Sequence, residues 1–250
     1  GKALILGGFV KPGIAEAATI IKKSGSMIAL TGAGISVESG IPDFRSSGGL
    51  WDKYDPSIYA SIYSFRNMPE KVWEMIFELI EITERAKPNP AHLALAELEQ
   101  MNLLKTVITQ NIDNLHQEAG SRNVIEYHGN AKHLVCLQCG EQYSPDEYDI
   151  DKRKVPHCEM CGKILKPSVI FFGEMIPNEA LHQSQKYAET ADVVLVIGTS
   201  AIVYPAAGIP GIVKNHGGKV IEFNLEETEI TSSCTDIFIK GSAGKTLPEL

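Results

Sequence analysis

The sequence predicts an α/β protein, a parallel sheet covered by helices on both faces, and three observations predict it. Short apolar runs such as Asp192 to Ile197 alternate with segments of helical apolar spacing such as Ile14 to Lys23. Polar residues gather at the carboxyl ends of those runs, at Thr31, Gln110, Asn111, Asp113, His128, Ser200, Asn224 and Ser242. That is the edge at which open α/β sheets bind ligands, whereas each polar strand end alone is ordinary turn chemistry. Two Cys-x-x-Cys pairs interrupt the alternation and predict a separate metal-bound module.

Length and charge bound the answer further. A chain of 250 residues can bury one large core and a small second one. The formal net charge of -8 argues against a general nucleic-acid binder. No apolar run reaches the ~20 residues needed to cross a bilayer. Ala3 to Val10 is apolar but short, and reads as a local segment rather than a signal peptide. Four of the five cysteines form close pairs, which favours metal binding in a reducing compartment such as the cytoplasm over a disulfide framework.

In chain order, Ile14 to Lys23 is a helix stopped by Ser24-Gly25. Met27 to Leu30 is a buried strand running into Gly32-Ala33-Gly34-Ile35-Ser36. A strand, a glycine turn and a helix start make the layout of a dinucleotide phosphate site, although Val37 stands where the usual third glycine would be. Asp43 to Trp51 mixes aromatics, charge and glycine without periodicity, as functional lids do. Pro69 to Arg85 is a helix with Val72, Trp73, Ile76, Leu79, Ile80 and Thr83 inward. Asn89 caps a further helix through Met101, in which His92 packs or caps.

Leu103 to Thr109 is a strand, Asn114 to Ala119 a short helix with a packed His116, and Val124 to Tyr127 a strand. Ser168 to Phe172 is read as another strand and Asn178 to Ala188 as a helix. Asp192 to Ile197, Lys219 to Phe223 and Ile237 to Lys240 are strands, with a helix from Pro205 to Asn215 between the first two. Cys136-x-x-Cys139 and Cys158-x-x-Cys161 have zinc-ribbon spacing, each pair placing two thiolates on one turn. Four thiolates close the coordination sphere, so the Zn²⁺ is structural and cannot activate a water. Cys234 is a small apolar filler.

Taken together, Gly32 to Ser36, Gly40-Ile41-Pro42-Asp43-Phe44-Arg45, Gln110-Asn111-Ile112-Asp113, His128-Gly129-Asn130, the cysteine pairs, Phe172-Gly173-Glu174, Gly198-Thr199-Ser200 and Asn224-Leu225-Glu226 closely resemble the sirtuin family of NAD-dependent protein lysine deacylases. The resemblance runs from about Ile14 to Gly244. It implies a Rossmann-like domain (1–40, 88–131 and 166–250) with two insertions forming a small domain. These are a cofactor-loop and helical module (41–87) and a zinc module (132–165). NAD and an acetylated lysine peptide would meet between the domains.

By the same resemblance, Gly32, Ala33, Gly34 and Ser36 would hold the pyrophosphate, with Asp43, Phe44 and Arg45 closing over it. Gln110, Asn111 and Asp113 would hold nicotinamide and its ribose, and Gly198, Thr199 and Ser200 would line the phosphate path. Asn224, Leu225 and Glu226 would take the adenosine ribose and Ala243 the adenine. Ile170, Phe172, Gly173, Glu174 and Val203 would contact the acyl-lysine, and His128 with Asn111 would be catalytic. NAD is consumed in this family: the acyl oxygen attacks the ribose carbon as nicotinamide leaves. His128 then serves as general base on a ribose hydroxyl, giving free lysine and an acylated ADP-ribose. Members that favour succinyl groups carry Tyr and Arg where this chain aligns Ile76 and Leu79, which implies a preference for acetyl or longer neutral chains. Two alternatives stay open at this level: mono-ADP-ribosyl transfer to a side chain, and a non-catalytic NAD-binding interaction module.

Overall fold

A computed structural model describes residues 11–45, 47–151 and 154–250. The apolar stretch from Ala3 to Val10, and Ser46 in the expected lid, lie outside the described residues. Helix α1 (Ile14–Lys23) leads into strand β1 (Met27–Thr31) and a 3₁₀ helix, Ala33–Ser39. Three short helices follow, α2 (Leu50–Lys53), α3 (Pro56–Tyr59) and α4 (Ile62–Asn67), then the longer α5 (Pro69–Arg85) and α6 (Pro90–Gln100). Next come β2 (Leu104–Thr109), α7 (Leu115–Glu118), β3 (Val124–Glu126), β4 (Gly129–Val135), β5 (Gln142–Tyr143) and β6 (Lys166–Val169). The chain continues through α8 (Asn178–Thr190), β7 (Val193–Ile197), α9 (Ile209–Asn215), β8 (Lys219–Asn224), α10 (Glu229–Ser233), β9 (Ile237–Lys240) and α11 (Ala243–Thr246).

The main sheet has six strands in the order β3-β2-β1-β7-β8-β9, all parallel. Its strands read as unbroken apolar runs because both faces are covered. On β7, Val193, Leu195 and Ile197 enter one core with α1 and α6, while Val194 and Val196 enter the other with α8 and α9. Numbered among themselves in chain order, the strands run 3-2-1-4-5-6, the Rossmann arrangement. The order reverses between β1 and β7, and the connections that follow them pack on opposite faces of the sheet, through α6 and α9; this is the switch point at which such sheets bind ligands.

The second, three-stranded sheet has the order β5-β4-β6 and is antiparallel. Here the structure corrects the expected strand from Ser168 to Phe172. The pairing segment is Lys166–Val169, and it runs against β4 rather than joining the parallel sheet. Two separate insertions share one small core: Phe65, Val72, Trp73 and Ile76 pack on Leu134, Tyr143 and Leu165. The Trp73 indole donates to the Leu165 carbonyl at 3.0 Å and ties α5 to the cysteine module. No helix among the described residues is long and apolar enough to cross a membrane.

Candidate active site

The glycine turn is built for contact between two loops. Gly32 N–H donates to the Ile197 carbonyl at 3.0 Å and Gly34 N–H to the Gly198 carbonyl at 2.8 Å. A Cβ on Gly32 would stand 2.7 Å from Thr199 Cβ, and one on Gly34 would stand 2.7 Å from Gly198 Cα. The missing third glycine also has a physical reason. That glycine normally lets a helix press on the sheet, but here a 3₁₀ helix leaves the sheet and Val37 is 43% exposed.

Behind this turn lies a buried polar network. Asn111 Nδ2 donates to the Gly32 carbonyl at 3.1 Å and to Ser36 Oγ at 3.3 Å, and its backbone N–H donates to Thr109 Oγ1 at 3.0 Å. Ser36 Oγ donates to Asp113 Oδ2 at 2.7 Å, and Leu115 N–H caps Asp113 Oδ1 at 3.0 Å. Burial pushes the Asp113 carboxyl upward, partly offset by these donors. His92 Nδ1 accepts the Asn89 N–H at 3.2 Å, closing the capping box of α6, and its Nε2 faces Ser36 Oγ at 3.4 Å. Burial lowers His92 to about 4 and His116 to about 3, so both are neutral. Thr31 is fully buried between Thr109 and His116.

His128 is fixed from several sides. Its neighbour Tyr127 pairs with the Thr109 carbonyl of the main sheet, and the His128 carbonyl accepts the Ile170 N–H at 2.8 Å. Gly129 has φ 76°, and a Cβ there would lie 1.9 Å from the Ser168 carbonyl oxygen, so only glycine lets the histidine sit at this junction. His128 Nδ1 lies 3.0 Å from the Gln110 carbonyl, which can only accept. The proton is thereby assigned to Nδ1 and Nε2 is the basic nitrogen. Burial lowers the His128 pKa, with the Gln110 carbonyl opposing.

These elements border one cavity of about 820 Å³, within the ~300–1,000 Å³ typical of ligand sites. It is lined by Gly32, Ala33 and Gly34, by Gly198, Thr199 and Ser200, and by Gln110, Asn111 and His128. Asp43, Phe44 and Arg45 border it, as do Asn224, Leu225, Glu226 and Ala243, and Ile170, Phe172, Gly173, Glu174 and Val203. Two proposed residues, Ser36 and Asp113, stand one layer behind Asn111 and not on the cavity wall. Trp51 joins the wall, 5.0 Å from Phe44 and 6.4 Å from Phe172 between ring centroids. Sequence reasoning passed over Glu38, which also lines the cavity and accepts Gly244 N–H at 2.7 Å and Ser242 Oγ at 3.2 Å. Nothing local marks Glu38; only its pairing with residues about two hundred positions away does.

The Glu174 carboxylate looks inward. It accepts the Phe171 N–H at 2.7 Å and pairs with Lys166 Nζ at 3.1 Å. Lys166 is buried, which lowers its pKa while Glu174 raises it.

The cysteine cluster is separate from the cavity. All four Sγ atoms lie within 4.8 Å of one another, with Cys136 and Cys161 at 3.4 Å and Cys139 and Cys158 at 3.6 Å. Zn–S bonds of ~2.3 Å in a tetrahedron put the sulfurs roughly 3.8 Å apart, so the set fits a closed Zn²⁺ site. The two turns repeat each other: Gly140 N–H donates to the Cys136 carbonyl and Gly162 N–H to the Cys158 carbonyl, with both glycines at positive φ.

A Rossmann sheet with a ligand-sized crevice at its switch point, and a lobe with a four-cysteine cluster fit for zinc, defines a dinucleotide-binding α/β protein. The Sir2 family model matches residues 32–205. An NAD-dependent protein deacylase of Pyrococcus abyssi (strain GE5 / Orsay) is 49% identical over 241 residues, 95% of this chain and 96% of that one. A solved Sir2 homolog–NAD complex is similar at TM-score 0.89 and 42% identity, covering 97% of this chain and 94% of that one. A Sir2–p53 peptide–NAD⁺ structure is similar at TM-score 0.86 and 36% identity, covering 94% and 95%. The chain belongs to the Sir2 family, the sirtuins.

Proposed function

We propose that this chain removes acetyl and similar neutral acyl groups from lysine side chains of proteins, consuming NAD. The observation that carries the reading is a neutral histidine, its tautomer fixed by the Gln110 carbonyl, on the wall of the cavity that the glycine loops also border. NAD supplies the electrophile, a ribose carbon bearing a departing nicotinamide. The pyrophosphate would lie along Gly32 to Gly34 and Gly198 to Ser200, loops joined by the Gly34 N–H to Gly198 carbonyl bond. Ser36 and Asp113 act from behind, by holding the Asn111 amide against the nicotinamide end. Asn224, Leu225, Glu226 and Ala243 take the adenosine.

His128 Nε2 accepts a proton from a ribose hydroxyl after the acyl oxygen has bonded to the sugar. The Phe44, Trp51 and Phe172 rings shield that step from water. The peptide's lysine stem passes Ile170, Phe172, Gly173 and Val203. Met75, Ile76, Leu79 and Ile80 of α5 line the same cavity, an apolar face that suits a neutral acyl tip. Residues 41–87 and 132–165 act as one small domain against the dinucleotide domain, which their shared core supports, and β6 (Lys166–Val169) completes the small domain's sheet. The net charge of -8 suits protein substrates over nucleic acids, and the thiolate site suits the reducing cytoplasm.

Incubation with an acetyl-lysine peptide, with and without NAD, followed by mass spectrometry tests this. Deacetylated peptide, nicotinamide and acetyl-ADP-ribose should appear only with NAD. NAD consumption that leaves the acetyl group in place would overturn it in favour of ADP-ribosyl transfer.

A further inference from the structure

Strand β8 carries one residue that the fold alone does not explain. Ile221 and Phe223 enter the first core, and Val220 enters the second. Glu222 shares the face of Val220, yet it is a carboxylate at 0% exposure. A carboxylate out of water needs strong partners. Among the described residues no cation lies in ion-pair reach of Glu222.

Three hydroxyls take the place of a cation. Thr228 Oγ1 donates to Oε1 at 2.7 Å, Thr231 Oγ1 to Oε2 at 2.7 Å and Thr235 Oγ1 to Oε2 at 2.9 Å. All three belong to one stretch around α10, and Thr231 Oγ1 also accepts the Thr228 N–H at 2.8 Å. The stretch begins where the cavity wall ends, because Asn224 to Thr228 line the cavity. At its other end that wall is tied by Asn224 Nδ2, which donates to the Thr199 carbonyl at 2.9 Å. The span from Leu225 to Glu227 therefore hangs between two anchors, and Glu222 is the hidden one. An apolar residue here would leave three hydroxyls without their acceptor, so the acid holds this stretch specifically.

We propose that Glu222 is a positioning residue that sets the shape of the 224–228 wall, and through it the affinity for the adenosine half of NAD. The inference rests on the reading given under Proposed function. Glu222→Gln, which loses acceptor capacity, and Thr231→Val, which removes one donor, are compared with the unaltered protein. Readouts are ADP-ribose Kd by calorimetry, KM for NAD, KM for the acetyl peptide, and Tm. Both variants should weaken ADP-ribose and raise KM for NAD about tenfold, in line with loss of a charge-assisted hydrogen bond. Peptide KM and kcat at saturating NAD should stay within about twofold, since the reacting end is untouched.

A role confined to fold support would lower Tm and leave KM for NAD unchanged, which overturns the proposal. A parallel rise in peptide KM overturns it as well. Should Glu222→Gln fail to fold, Thr231→Val carries the same comparison. Should the unaltered protein fail to bind ADP-ribose, the functional reading falls with the inference; if it binds and the variants bind equally, only the inference falls.

Discussion

Replacing Glu174 by Ala should injure the protein through Lys166. The Lys166 side chain is 3% exposed, and its ammonium donates to the Val169 carbonyl at 2.5 Å, the Pro167 carbonyl at 3.0 Å and Glu174 at 3.1 Å, with the Phe171 ring centroid at 4.6 Å. Without the carboxylate a buried cation keeps only two neutral acceptors and a ring face. Leaving one partner of a buried pair uncompensated costs ~3–5 kcal/mol, and the lower end applies because the Glu174 side chain is 19% exposed. For a domain of this size that is a Tm loss of roughly 6–12 °C.

The sign with pH follows from linkage. Burial already holds Lys166 below its ordinary value, and losing Glu174 lowers it further. Between the folded and unfolded pKa the unfolded chain binds more protons, so the variant's deficit narrows as pH rises. Phe171 N–H also loses its acceptor, so the adjacent Phe172-Gly173 wall loosens and KM for the peptide rises. Thermal unfolding across pH, with peptide KM, checks this. The reasoning is refuted if Glu174→Ala melts with the unaltered protein, or if adding Lys166→Met to it recovers no stability.

Four further outcomes follow from the structure. His128→Ala should cut nicotinamide release from NAD and acetyl peptide by about 10²–10⁴-fold. In the unaltered enzyme kcat/KM should hold on acidification through the ordinary imidazole range and fall only below it, because burial depresses His128 and the base must be neutral; a fall centred above that range contradicts the assignment. Cys136→Ser, or removal of Zn²⁺ by a chelator, should lower Tm without altering the ADP-ribose Kd of the molecules still folded, as the cluster stands apart from the cavity. An acetyl-lysine peptide should turn over faster than its succinyl counterpart, since Ile76 and Leu79 offer no partner to an anion; the reverse order in a side-by-side kcat/KM assay would refute this.

How much of the fold could be read beforehand depended on what sets each element. Helix α5 was legible to the residue, because Pro69 starts it, Pro88 follows it and the apolar spacing is unbroken. The parallel strands were legible because burial on both faces makes them continuously apolar. Helices α2 to α4 were not, since four to six residues show no period, and local caps at Asp55 and Ser61 decide α3 and α4. Strand β4 hid for a related reason: its burial alternates irregularly along Gly129–Val135. The misplacement of β6 shows a deeper limit. An apolar run announces a strand but not its direction, and only pairing with β4 makes this one antiparallel.

The site was legible for one reason and opaque for another. Residues at strand ends are gathered by topology, so the strand pattern alone places Gln110, Asn111, His128, Ser200 and Asn224 together. What the sequence could not convey is which atoms face the ligand and which face each other. The glycines suggested a close phosphate, yet Gly32 and Gly34 are already required by the Gly198-Thr199 loop. Glu174 suggested a substrate contact, yet its carboxylate is committed to Lys166 and Phe171 N–H. Glu222 suggested nothing, because one acid in a strand usually marks a solvent face. In each case the deciding partner is remote in sequence or is a backbone atom, and neither leaves a local pattern. The missing third glycine is a matter of backbone geometry in the same way. A 3₁₀ segment that leaves the sheet frees position 37 from the sheet. On the other side of the switch point the end of β8 is fixed by Asn224, whose Nδ2 donates to the Thr199 carbonyl.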